Sequence, residues 1–154
     1  MQIVNLHDHP EWLPEVAHWI YTAFIEGLRP ALTQAAVAAA LQDRRARTIP
    51  LTYVGVVDGA CVATVSLVDN DLSARPEWGP WLASLYVLPA MRGRGCARQL
   101  IDHVRAVAAG LGHTTLYLRT ETASAYYRRL GWRQIDALTD EFQLFTEVFA
   151  CDLG

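Results

Sequence analysis

Lysine is missing altogether: all 13 basic residues of this 154-residue chain are arginine, set against 16 acidic residues and a formal net charge of −3. An acidic balance excludes the general attraction to nucleic acid or anionic membrane that a basic surface exerts. Cysteine is scarce. Cys61, Cys96 and Cys151 are widely spaced and form no C-x-x-C pair, which excludes a disulfide framework and a zinc knuckle and makes a reducing, cytoplasmic setting the expectation. Long apolar runs are also missing, since the longest, Ala35 to Leu41, falls far short of the roughly 18 residues of a membrane helix. The opening MQIVNLHDHPEW lacks the basic segment and apolar stretch of an export signal. His7-Asp8-His9 has no further ligand nearby, and Asp69-Asn70-Asp71 lacks the central glycine and terminal glutamate of a calcium loop, so no metal is expected. With no internal repeat, low-complexity tract or linker, residues 1–154 are expected to form one domain.

The sequence does contain well-marked elements. After a short strand at Ile3 to Leu6, the apolar positions Trp12, Val16, Trp19, Ile20, Ala23 and Phe24 recur at helical spacing and predict an amphipathic helix ending near Gly27. Thr33 can cap a second helix through about Arg45, with Ala36, Val37, Ala40 and Leu41 as its apolar stripe. Leu51 to Val57 and Cys61 to Val68 flank Asp58-Gly59-Ala60 and predict a hairpin. Asp69 to Pro80 reads as a long loop, and strand character returns at Trp81 to Val87. Ala97, Leu100, Ile101, Val104, Val107, Ala108 and Leu111 follow the i, i+3, i+4, i+7 pattern of a helix closed by Gly110 and Gly112. A strand at Thr114 to Leu118, a short helix at Thr122 to Leu130, and strands at Trp132 to Asp136 and Phe145 to Cys151 complete the order. The expectation is an α/β fold with a mixed, mostly antiparallel sheet and helices on both faces.

Local charge runs against the overall balance, for seven of the 13 arginines fall between Arg92 and Arg129. Between the strand ending at Val87 and the helix that follows lies Arg92-Gly93-Arg94-Gly95-Cys96-Ala97-Arg98. A glycine-containing turn feeding a helix N-terminus leaves several backbone N–H groups without helical acceptors, and the helix dipole adds positive potential, a combination that binds phosphate. It is not a Walker loop, because Cys96-Ala97 stands where lysine and serine or threonine are required. Nor is it a Rossmann fingerprint, because Arg98 occupies the third glycine position.

The stretch Arg92 to Ala97 resembles the acyl-CoA signature of the GNAT acetyltransferases: Gln or Arg, two residues, Gly, one residue, then Gly or Ala. The resemblance extends to Leu85-Tyr86-Val87-Leu88-Pro89 before it and to Tyr126-Tyr127-Arg128-Arg129-Leu130-Gly131-Trp132 after it, covering about Ala83 to Ile135. It implies a splayed strand pair in the sheet and acetyl-CoA as cosubstrate. Its pyrophosphate would be held by the backbone of Arg92, Gly93, Arg94, Gly95, Cys96, Ala97 and Arg98, and its pantetheine arm paired along Leu85, Tyr86 and Val87.

The implied reaction is acetyl transfer to a primary amine of a small molecule or peptide by direct attack in a ternary complex. Tyr127 matches the family's tyrosine and is the candidate acid toward the departing sulfur. The base is open among Asp69, Asp71, Glu77 and Glu121, with Asp71 and Glu77 put forward as catalytic candidates. Trp78 and Trp81 are expected near the acceptor pocket, and Arg29, Arg75 or Arg119 would suit an acceptor carrying a carboxylate. Cys96 is expected to be a small packing residue rather than a nucleophile. A non-catalytic acyl-CoA-binding module on the same fold is the alternative. The segment FQLFTEVFACDL could pair across a homodimer as readily as within one sheet.

Overall fold

The hairpin of β2 (Leu51–Val57) and β3 (Ala60–Val68) lies within a seven-stranded sheet, and the computed structural model describes all 154 residues. The remaining strands are β1 (Gln2–Asn5), β4 (Trp81–Val87), β5 (Thr115–Thr120), β6 (Arg133–Thr139) and β7 (Phe145–Asp152), in the spatial order β1-β2-β3-β4-β5-β7-β6. All pairings are antiparallel except β4 with β5, which is parallel and consists of the single register pair Trp81 with Tyr117. Beyond that pair the two strands separate, and the sheet opens where two halves would otherwise zip together. Both edges of β7 are filled within the chain, by β5 and β6, so pairing of the final segment is met without a second copy.

The helices are α1 (Leu13–Ile20), α2 (Gln34–Gln42), α3 (Cys96–Gly110) and α4 (Ser124–Arg129). The regular pattern of α3 buries Leu100, Ile101, Val104 and Ala108 against the sheet. Burial of each of the larger three contributes about 1.5–3 kcal/mol, which makes α3 a fixed platform for the loop that feeds it. On the other side, Val16, Ala17, Trp19 and Ile20 of α1 pack with Leu41, Val54 and Val56.

Two expectations needed revision here. The first helix is not α-helical to Gly27, because Tyr21–Ile25 widens into a π-helical turn, a local change that apolar spacing does not reveal. The second stops at Gln42, and of its expected stripe only Leu41 is buried, with Ala36 and Ala40 exposed. Its N-cap is as expected, since Thr33 Oγ1 accepts from the N–H of Ala36 at 3.1 Å. Arg44 lies beyond the helix and turns back to donate to Thr52 Oγ1 at 2.9 Å.

Candidate active site

Two adjoining cavities flank the point where β4 leaves β5. The smaller, about 360 Å³, is lined by Val87, Met91 to Gly93, Gly95 to Arg98 and Tyr126. Gly93 (φ +75) and Gly95 (φ +82) adopt the left-handed conformation that favours glycine, and a Cβ built on either would enter open space rather than protein. Gly95 is the N-cap of α3 and offers no side chain to its first turn. The backbone N–H groups of Gly93 to Arg98 accordingly find no acceptor in the protein, and six unsatisfied donors at a positive helix end form an anion cradle. Of the arginines, Arg92 is a brace. Its Nε donates to the Val87 carbonyl at 2.9 Å and its guanidinium lies over the Tyr86 ring at 5.6 Å. Arg98 pairs with Asp102 at 3.4 Å one turn along α3. Cys96 is buried in the core, as its small-residue position implies.

Between cradle and cleft, β4 carries a bulge: Thr64 faces Tyr86 and Ser66 faces Ala83, so Ser84 and Leu85 together oppose Val65. Ser84 has φ +54, an unusual conformation for a residue with a side chain. The bulge rotates the backbone at the mouth of the opening, and such features concentrate beside active sites. On its β5 side the edge from Leu82 to Val87 has no strand partner, so Leu85, Tyr86 and Val87 lie on an available edge. No glycine or proline marked Ser84, so the sequence held no signal for it.

The larger cavity, about 720 Å³, fills the gap between the separated strands, with Leu82 to Leu85 on one wall and Leu118 to Glu121 on the other. Tyr127 and Asp71 both face it, as do Glu121, Arg29 and Arg119. Tyr127 is buried, edge-on to Trp132 at 6.0 Å, and its hydroxyl has no protein partner. Burial, with a smaller contribution from Tyr126, pushes its phenol above the ordinary range and keeps it protonated. Asp71 is exposed to solvent at the cleft, with the cleft's other groups packed round it. Loss of hydration raises its carboxyl to about 6, against the opposing pull of Arg119 and Arg29.

One ion pair holds the cleft together. The Arg119 guanidinium binds the fully buried carboxylate of Asp140 through Nη2 and donates from Nη1 to the Asp71 carbonyl at 3.3 Å. Asp140 Oδ1 accepts from the N–H groups of Phe142 and Leu144 at 2.8 and 2.9 Å. Burial alone would raise Asp140, but these bonds, led by Arg119, outweigh it and hold the carboxyl below its usual range. Asp140 was missed by sequence reasoning because an acid beside a strand turn has no distinguishing spacing.

Other expected residues lie elsewhere. Glu77 is exposed outside the cleft, and Asp69 does not line it. Trp81 is fully buried with Leu72 and Val148, because the strand's alternation sends it away from the opening. Its Nε1 donates to the Trp78 carbonyl at 2.7 Å, and Trp78 stacks on Tyr117 at 5.6 Å, so both tryptophans lock the loop rather than wall the pocket. Arg75 is bound to Asp136 at 2.7 Å. No cluster of three or more His, Cys, Asp or Glu side chains is placed to hold a metal, and no helix is long and apolar enough to cross a membrane.

The family model of the acetyltransferase (GNAT) domain matches residues 49–134, the stretch containing the hairpin, the splayed strand, the cradle and Tyr127. The chain belongs to the GNAT acetyltransferase family. A coenzyme A complex of an aminoglycoside 6'-N-acetyltransferase has the same fold, with a TM-score of 0.78 at 14% identity over 100% of this chain and 98% of that one. An N-acetyltransferase from Staphylococcus aureus Mu50 superposes with a TM-score of 0.77 at 17% identity, covering 100% of both chains. A putative acetyltransferase from Salmonella typhimurium with acetyl-CoA gives 0.72 at 17% identity over 100% and 94%. No curated protein matches this GNAT sequence.

Proposed function

We propose that this GNAT protein is a single-domain, acetyl-CoA-dependent N-acetyltransferase that acetylates a primary amine of a small molecule or peptide. The observation that carries the reading is that Asp71 and Tyr127, a raised carboxyl and a protonated phenol, line the same cleft beside the anion cradle. The residues fit the cosubstrate: Arg92, Gly93, Arg94, Gly95, Cys96, Ala97 and Arg98 would hold the pyrophosphate through main-chain N–H groups, and Leu85, Tyr86 and Val87 would pair with the amide-bearing arm as an added strand does. Acetyl-CoA, when bound, supplies a thioester acetyl.

A lysine-like ammonium costs about 4.6 kcal/mol to deprotonate at pH 7, so the site needs a proton acceptor. Asp71 serves as that acceptor, directly or through water, because above about pH 6 it is ionised and still basic. Glu121 on the opposite wall adds negative charge that draws the ammonium in. As the amine nitrogen forms its bond to the acetyl carbon and the carbon–sulfur bond breaks, Tyr127 passes its hydroxyl proton to the departing sulfur and regains one from the nitrogen, whose second proton it takes as the amide forms. Direct attack is supported by the absence of cysteine from the cleft, and by Cys61, whose burial pushes its thiol up to about 12 and makes it a poor nucleophile.

Titration with acetyl-CoA by calorimetry, beside Gly95→Glu, tests the cradle, and acceptor-dependent thiol release tests the chemistry. Binding lost in Gly95→Glu with release retained only in the parent chain is the expected result. Binding without release from any amine would favour a non-catalytic acyl-CoA module.

A further inference from the structure

The acceptor cleft carries both an apolar and an acidic portion on its lining. Only four large apolar side chains of the chain stand exposed, and two of them, Leu28 (41%) and Leu32 (40%), lie on its lining. Phe24 and Phe142 continue the same apolar surface. Exposed apolar groups gathered on a concave wall mark a surface that binds apolar matter. On the same lining Asp71 and Glu121 supply negative charge.

The two cleft arginines do not offset this pattern. Arg119 is 94% buried by its 6% side-chain exposure; its charge is committed to Asp140, and its Nε has no hydrogen-bond partner, with Glu121 at 4.0 Å. Arg29 donates to the Phe24 carbonyl at 2.6 Å and rests on the Phe142 ring at 5.0 Å. Arg119 thus has no free fork for a carboxylate, and Arg29 stands as a single cation against Asp71, Glu121 and Glu141 on the same lining, a balance that disfavours an acceptor carboxylate.

Building on the N-acetyltransferase reading, we infer that the acceptor is an amphipathic primary amine without a carboxylate, its ammonium toward Asp71 and Glu121 and its apolar body against Leu28, Leu32, Phe24 and Phe142. A densely hydroxylated or polycationic amine would leave polar groups against that wall without partners, an unfavourable arrangement.

The test measures thiol release from acetyl-CoA with 2-phenylethylamine and n-hexylamine, compared with phenylalanine, spermidine and a 2-deoxystreptamine aminoglycoside. Leu28→Ser with Leu32→Ser is assayed beside the parent chain; both positions are exposed, and circular dichroism checks the fold. The inference expects the two apolar amines to have the highest kcat/KM, and the double variant to raise KM for 2-phenylethylamine by about tenfold with kcat little changed. Higher kcat/KM for spermidine, the aminoglycoside or phenylalanine overturns this inference and leaves N-acetyl transfer standing, as does a KM unmoved in the double variant. Release from no amine, with acetyl-CoA bound, overturns N-acetyl transfer and this inference with it.

Discussion

Asp71 and Tyr127 contribute to the proposed chemistry through different surroundings, one exposed at the cleft and one buried beside it. Loss of hydration raises both, but Asp71 arrives at about 6, where it titrates near neutral pH, whereas Tyr127 moves away from the working range. The pH profile of kcat/KM should therefore have an acidic limb near 6 belonging to Asp71, which disappears in Asp71→Asn along with most of the activity. Stability should respond in the opposite direction. The charged carboxylate is disfavoured in the fold, so its cost is present above about pH 6 and absent below the ordinary value of 3.8. Asp71→Asn should melt higher than the parent at pH 7.5, and the gap should close as pH falls through 6 toward 4. Tyr127→Phe removes a hydroxyl with no protein partner; kcat should fall by about 10²-fold with acetyl-CoA affinity and melting temperature nearly unchanged. A Tyr127→Phe enzyme of normal kcat would remove the phenol from the mechanism.

At the scale of elements, the account rests on how β4 is shaped. Its bulge holds Ser84 at φ +54, so Ser84→Gly should leave stability unchanged or raise it by up to about 1 kcal/mol, and β-branched Ser84→Val should lower it by about 1–3 kcal/mol, as read by urea melts. This is also where the sequence was least legible. Periodicity and turn residues located the four α-helices and seven strands to within a few residues, because α3 has its apolar stripe and the hairpin its Asp58-Gly59 turn. The cradle was legible because two glycines among arginines feed a helix start, and both adopt the left-handed conformation that favours glycine. The bulge, the π-helical turn after Ile20 and the role of Asp140 depend on contacts between distant segments, which local spacing does not encode. For the same reason Glu77 and Asp71, equivalent as loop acids in the sequence and both exposed, are separated by the fold, which places only Asp71 on the cleft lining.

For the molecule as a whole, the Arg119–Asp140 pair links β5, the turn before β7 and the loop carrying Asp71, while the cradle belongs to α3 and is built independently of it. Asp140→Asn should thus raise the acceptor KM and lower the melting temperature, with acetyl-CoA affinity within about twofold of the parent because distant sites act nearly additively. Equal losses of both affinities would show that the two cavities are coupled. The central claim, direct acetyl transfer from acetyl-CoA to an amine in this cleft, is tested most directly by initial rates of thiol release over a grid of both substrate concentrations, with the product identified by mass. The account predicts amine-dependent release, intersecting double-reciprocal lines and an N-acetylated product. Parallel lines with an acetylated protein intermediate, or no amine-dependent release from a chain that binds acetyl-CoA, would contradict it.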